Sequence, residues 1–329
     1  MTDRTTLAAL AGAALLVVLA ATGGLVAASL VRRPAPVPSA PPPAAPPPTA
    51  VLSDDDLWLQ PLSAGCATAD GVWVVSDGGG IGRYDGQRWS LVDRTLRSLS
   101  SAACVRDTML AVGGAGRVVT ASDTARTVRV DTTGLEDLYA VALLPDGVIA
   151  AGQRGTVLRQ VPAGWGPYSR GLEEDLFGLA AFSASSAWAV GAGGATYRLD
   201  DTGWRPVPSG VTATLRAVAG SAADSVIAVG DTGTVLVWQG QWKKLEVGTT
   251  ANLRAVARAA GASWVVGDGG TVLRVTSATP EAARFELRTG CTIRGVFLRG
   301  PEVWFVGSDG PFAGVWRLAG DRVDRWGTC

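Results

Sequence analysis

The sequence predicts an all-β fold: a seven-bladed β-propeller with four antiparallel strands per blade, preceded by an N-terminal transmembrane helix and a Pro-rich linker. Three observations lead there. The chain repeats itself seven times at a spacing of 37 to 40 residues, with units opening at Leu62, Leu99, Leu138, Leu176, Leu215, Leu253 and Ile293. Each unit contains a four-residue connection that ends in Gly. Ahead of the repeats, Thr5 to Val31 carries no charge. A regular period of this size belongs to solenoids, propellers and arrays.

Taken in order, residues 1–4 are a short tail and residues 5–31 a transmembrane anchor. A stretch of 27 apolar and small residues is long enough for a hydrocarbon core of about 30 Å. It exceeds the usual apolar region of a signal peptide, which favours an uncleaved anchor, although Val26-Ala27-Ala28-Ser29 offers a peptidase small residues. Arg32-Arg33 after the span pull the following domain toward the cytoplasm. The very short lead segment and the even number of Cys argue instead for an extracytoplasmic domain, periplasmic or at the cell surface, and that is the expectation adopted. Residues 32–52 form the linker; nine of the eighteen prolines fall within residues 34–50. Such a segment runs as extended polyproline II at roughly 3 Å per residue, a stalk of about 50 Å. Residues 53–329 are the propeller.

Within a unit, short runs of Val, Leu, Ala and aromatics broken by Gly, Asp and Thr read as strands. Blade five sets the pattern: strand A at Leu215–Ala219, B at Ser225–Val229, C at Thr234–Val237 and D at Trp242–Val247. The B–C connection ends in Gly79, Gly116, Gly155, Gly194, Gly233, Gly270 and Gly310, which implies a positive φ that Gly adopts without a Cβ clash. A phosphate-binding loop is the rival reading, but no helix follows to supply its dipole. Four antiparallel strands repeated radially make a propeller, and a parallel β-helix is the runner-up. Blade one has its own strand A, and blade seven ends in its own strand D at Val323–Trp326, so closure borrows no terminal strand. That leaves the joint between blades seven and one less protected.

Cys66 and Cys104 sit in strand A of blades one and two with opposite parity, so their side chains point toward each other. Cys291 and Cys329 occupy matching places just before a blade begins or would begin. The expected pairs are Cys66–Cys104 and Cys291–Cys329. A ring-locking Cys66–Cys329 bond and four free thiols are the alternatives.

Composition removes several functions. The chain has 29 basic and 29 acidic residues and no His. Without Arg4, Arg32, Arg33 and Asp3 the balance is 26 to 28, which supplies no basic surface for nucleic acid. Lack of His excludes Ser-His-Asp and Cys-His catalysis and all His-containing metal sites. The Cys form no C-x-x-C pair. No cofactor and no metal site is expected; Asp54-Asp55-Asp56 reads as a solvated run, with cation binding as the alternative.

The string L-x-x-V, then V-G-D-x-G-T-V-L, then a polar turn and Trp, resembles the photosystem II assembly and stability factor propellers and the wider BNR-like repeat group over residues 62–329. Tyr84-Asp85-Gly86-Gln87-Arg88-Trp89 comes nearest to an Asp box but lacks its Ser/Thr and Thr. The resemblance implies a seven-bladed extracytoplasmic assembly scaffold, in which an Arg patch serves partner binding.

Departures from the repeat are the candidate functional residues. Arg216, Arg254 and Arg294 follow the opening residue of blades five to seven, where the other blades have Ser63, Ser100, Tyr139 and Phe177. Glu136-Asp137 and Glu173-Glu174-Asp175 precede blades three and four. One face is thus basic on one side and acidic on the other, a split that orients a charged partner; solvated loop charges pairing across the ring are the plainer reading. Arg83, Arg159, Arg198, Arg274 and Arg317 end strand C and are read as stems covering the strand-D residues Trp89, Trp204 and Trp326. The expected function is a non-catalytic, membrane-anchored, protein-binding scaffold, an assembly factor for a membrane or envelope complex. A glycan-binding or sialidase-like propeller is the alternative, and it needs an Arg cluster, a Tyr nucleophile and a carboxylate at one pocket.

Overall fold

The structure, a computed structural model, describes residues 54–329 except 96, 124–127, 135, 170, 260, 277–281, 286 and 288. The expected tail, anchor and linker lie outside the described residues. Among the described residues no helix is long and apolar enough to cross a membrane.

Seven separate four-stranded sheets follow one another along the chain, each antiparallel and each built from four consecutive strands. Blade five runs Leu215–Ala222, Ser225–Gly230, Val235–Trp238 and Trp242–Lys244. Strand A of each blade packs on strand A of the next, and that of blade seven (Thr292–Arg299) packs on that of blade one (Leu62–Ala67), which closes the ring. The repeat buries its apolar residues between neighbouring blades. At the joint of blades five and six, Ile227, Val229 and Val235 meet Leu253, Val265, Leu273 and Val275, all nearly inaccessible. Each such side chain contributes about 1.5–3 kcal/mol by leaving water.

The Gly that ends the B–C connection has a positive φ in all seven blades. In blades two to six the connection is a single 3-10 turn, Asp231–Gly233 in blade five, and strand C begins at the next residue or one later. Gly233 has φ +67°, and a Cβ there would sit 1.8 Å from the Thr249 carbonyl oxygen. Blade seven departs from this pattern. Its strands B (Glu302–Asp309) and C (Phe312–Ala319) pair as far as Asp309 and Phe312, leaving only Gly310-Pro311 to turn.

The joint of blades seven and one is covered by residues outside the repeat. The 3-10 turn Asp54–Leu59 packs against strands C and D of the two blades and inserts a fully buried Leu57. A Cβ on Gly82 would lie 2.6 Å from Leu57, so this Gly makes room for the plug. Trp58 meets Trp89 edge-on at 5.7 Å, and Trp304 stacks on Trp326 at 5.5 Å. Gln60, buried, accepts from Ser76 Oγ at 2.9 Å. The run Asp54-Asp55-Asp56 opens this turn, and the described residues contain no cluster of three or more His, Cys, Asp or Glu placed to hold a metal.

Cys66 is bonded to Cys104 across blades one and two, and Cys291 to the terminal Cys329 across blade seven. The Arg residues that end strand C require a correction to the sequence reading. Arg83 lies over Trp73, Arg198 over Trp188 and Trp238, and Arg317 over Trp304 as well as Trp326; Arg159 covers Tyr168. The main partner is the Trp of strand B, because ladder register sets these residues directly opposite: Trp73 to Arg83, Trp188 to Arg198 and Trp304 to Arg317.

Candidate partner-binding face

The residue after each opening apolar position is skipped by the strand A–B ladder. The register jumps from Leu62 to Ala64, Leu99 to Ser101, Leu138 to Ala140, Leu176 to Gly178, Leu215 to Ala217, Leu253 to Ala255 and Ile293 to Gly295. Ser63, Ser100, Tyr139, Phe177, Arg216, Arg254 and Arg294 are therefore the extra residues of seven β-bulges. A bulge turns its side chain out of the pleat. Strand A is innermost, so these seven side chains ring one mouth of the central channel, and each is partly exposed. Neighbours touch around the ring. Tyr139 packs on Phe177 at 5.2 Å, and the Arg216 guanidinium lies 5.7 Å above the Phe177 ring.

The three Arg differ in what already holds them. Arg216 donates from Nε and Nη2 to Asp231 at 2.6 and 2.8 Å. Arg254 does the same to Asp268 at 2.8 and 3.0 Å. That fork depresses the Asp268 carboxyl, burial opposing it, and raises Arg254. Arg294 has no fork: its Nε donates to Ser308 Oγ at 2.9 Å, and its Nη1 lies 3.5 Å from Asp77 of blade one. It is also the most open of the three, with 41% of its side chain exposed. Burial raises the Asp77 carboxyl, and Arg294 only partly offsets this.

The acids before blades three and four serve the B–C turns. Asp137 Oδ1 accepts the Ala115 amide at 2.7 Å, and Asp175 Oδ1 accepts that of Arg154 at 2.8 Å. Ala115 and Arg154 are left-handed residues of the preceding blade's turn, so each Asp ties one blade to the next. Glu136 takes a fork from Arg154, Nη2 to Oε1 at 2.6 Å and Nε to Oε2 at 3.2 Å. Glu174 accepts from Tyr197, while Glu173 is exposed. Burial first, and then Glu174, push the Tyr197 hydroxyl up to about 12. A cavity of about 370 Å³ lies beside these groups, lined by Glu136, Leu138, Arg154, Val157, Pro167 and Leu172.

Sequence reasoning named the Arg and acidic residues but not the aromatic pair Tyr139–Phe177 as part of the site. The signal was available, since both occupy the Arg position of their blades. It also read the Gly-Asp-x-Gly turns as scaffold and did not connect Asp231 and Asp268 with Arg216 and Arg254.

No family model matches the chain, and no curated protein matches it. Among solved structures it is similar to the WD40 beta propeller domain of Doa1, with a TM-score of 0.68 and 12% identity over 78% of this chain and 92% of that one. It is likewise similar to YCF48 bound to D1 peptide, with a TM-score of 0.65 and 13% identity over 80% of this chain and 93% of that one. At such identities the likeness is one of fold, the seven-bladed propeller.

Proposed function

We propose that this chain is a non-catalytic, membrane-anchored protein-binding scaffold of the cell envelope, of the assembly-factor kind, and that it holds its partner at the bulge-ringed mouth. The carrying observation is that all seven bulges present a side chain at one opening and that these residues vary while the surrounding scaffold repeats. A repeated frame that carries a variable bulge residue in each blade suits recognition, because a rigid frame lowers the ordering cost of binding. The likeness to YCF48 bound to D1 peptide supports a peptide or protein as the partner. Anchoring by residues 5–31 and an extracytoplasmic ring are part of the proposal and rest on the sequence alone.

A sialidase-type reaction is disfavoured by local chemistry. Its Tyr must act as a nucleophile, which requires a lowered hydroxyl. Here Tyr197, which donates to Glu174, is pushed the other way, and burial followed by Asp137, Asp175 and Glu136 pushes Tyr139 up as well. Tyr84 is buried in the aromatic joint, and Tyr168 donates to the Ala184 carbonyl.

Crosslinking in native membranes followed by mass spectrometry tests the scaffold reading. Capture should be lost on replacing Arg216, Arg254 and Arg294 together by Ala while the disulfide-linked ring still forms. Undiminished capture by this triple variant removes the mouth as the binding face.

A further inference from the structure

The three Arg of the mouth leave one chemical element of the ring unused. Tyr139 and Phe177 are partly exposed aromatics on adjacent blades at the same opening. Ser63 and Ser100 stand at the same position of blades one and two, so the backbone does not require an aromatic there. Ser63 hydrogen-bonds the carbonyls of Val75 and Leu99, whereas Phe177 is clamped between Tyr139 and Arg216. Arg216 is in turn held by Asp231, so the platform is fixed before any ligand arrives. Rigid aromatic surface seats an apolar side chain at low entropy cost. Three blades further round, Arg294 is the one of the three Arg without a carboxylate fork, and it retains the capacity to pair with an incoming anion.

We infer that Tyr139 and Phe177 form an apolar anchor at the channel mouth, and that the partner segment is an acidic peptide whose aromatic or large aliphatic side chain sits on this pair while a carboxylate engages Arg294. This rests on the scaffold reading above and specifies the partner's chemistry. The two anchors lie on opposite sides of the opening, so recognition requires both features in one segment. Charge alone, or an apolar side chain alone, satisfies half of the mouth.

The test is selection of displayed random twelve-residue peptides on the full-length chain in detergent. The wild-type chain should enrich peptides with Phe, Tyr, Trp, Leu or Met within a few residues of Asp or Glu. The Tyr139→Ser/Phe177→Ser variant should lose the apolar preference and keep the acidic one, and Arg294→Ala should do the reverse. Phe177→Leu should retain the apolar preference, which separates loss of the anchor from a misfolded ring. For a selected peptide the double Ser variant should raise Kd about ten- to hundredfold. An apolar preference unchanged in the double Ser variant overturns the inference, as does a wild-type selection with no aromatic or aliphatic enrichment. If membrane crosslinking depends on the three Arg but ignores Tyr139→Ser/Phe177→Ser, the scaffold reading stands and this inference falls. If it ignores both sets of changes, the mouth is removed as the binding face and this inference falls with it.

Discussion

The joint between blades five and six and the joint between blades seven and one derive from one repeat but are held by different side chains. At the first, Val, Leu and Ile from two successive units interlock, and Gly233 turns tightly under the Thr249 carbonyl. At the second, the last blade meets the first, and no covalent link carries one into the other. The gap is filled by Leu57 and Trp58 from a 3-10 turn that precedes the first repeat, with Tyr84, Trp89, Trp304 and Trp326 around them. A repeat stabilises the contacts between its own copies, whereas the place where first and last copies meet needs residues that the repeat does not contain.

The sharpest way to break this comparison uses the turns. Gly233→Ala puts a Cβ at φ +67° against a carbonyl oxygen 1.8 Å away, with an expected loss above about 4 kcal/mol. Gly310→Ala meets nothing within 4 Å at φ +54° and should lose only about 1–2 kcal/mol. Equal losses in urea unfolding would show that blade seven's turn is not the looser one. Next come the disulfides, each with a sequence separation of 38. Chain entropy assigns both about 4 kcal/mol. Losing Cys291–Cys329 should in addition redden Trp fluorescence, because Cys329 follows the Trp326 strand, whereas loss of Cys66–Cys104 leaves that cluster in place. Identical spectra for the two Cys→Ser pairs would separate the C-terminus from the joint.

Smaller again is Leu57→Ala, which should cost about 2–5 kcal/mol, like Leu236→Ala in the regular wall. A loss near zero, measured by thermal melting, would make the plug a passive cover. The smallest effects concern pH. Arg254 holds the Asp268 carboxyl below its ordinary value, and Arg317 does so for Asp324 at blade seven's outer edge. Because the folded values lie below the unfolded ones, the stability from these pairs is present above about pH 4. It fades as pH falls through the folded values. The Tm deficit of Asp268→Asn should therefore close on acidification, and a deficit constant from pH 7 to pH 3 refutes the pairing. The Tyr197 hydroxyl should titrate near pH 12 in absorbance at alkaline pH, and Glu174→Gln should bring it down.

Much of the frame was legible because it is local. The period, the four strands and the positive φ of the turn-ending Gly all follow from residue type and spacing within one unit. The relation of Arg216 to Asp231 was equally present in the string of blade five, fifteen residues apart, but strand register alone brings the two together. The same holds for Trp73 and Arg83. The sequence placed Trp89 nearest to that Arg, and the ladder pairs it with Trp73 instead.

The amino-acid sequence by itself determined the number of blades, the strands within each and the position at which blades differ, because periodicity and backbone preference act over a few residues. Tertiary structure decided the bulge that directs this position into the channel mouth, the carboxylate forks that hold Arg216 and Arg254 where Arg294 has only Ser308 and a longer contact to Asp77, and the plug that completes the ring. Those depend on which residues distant in the chain come within hydrogen-bond or packing distance, a property of the closed ring and of no single repeat.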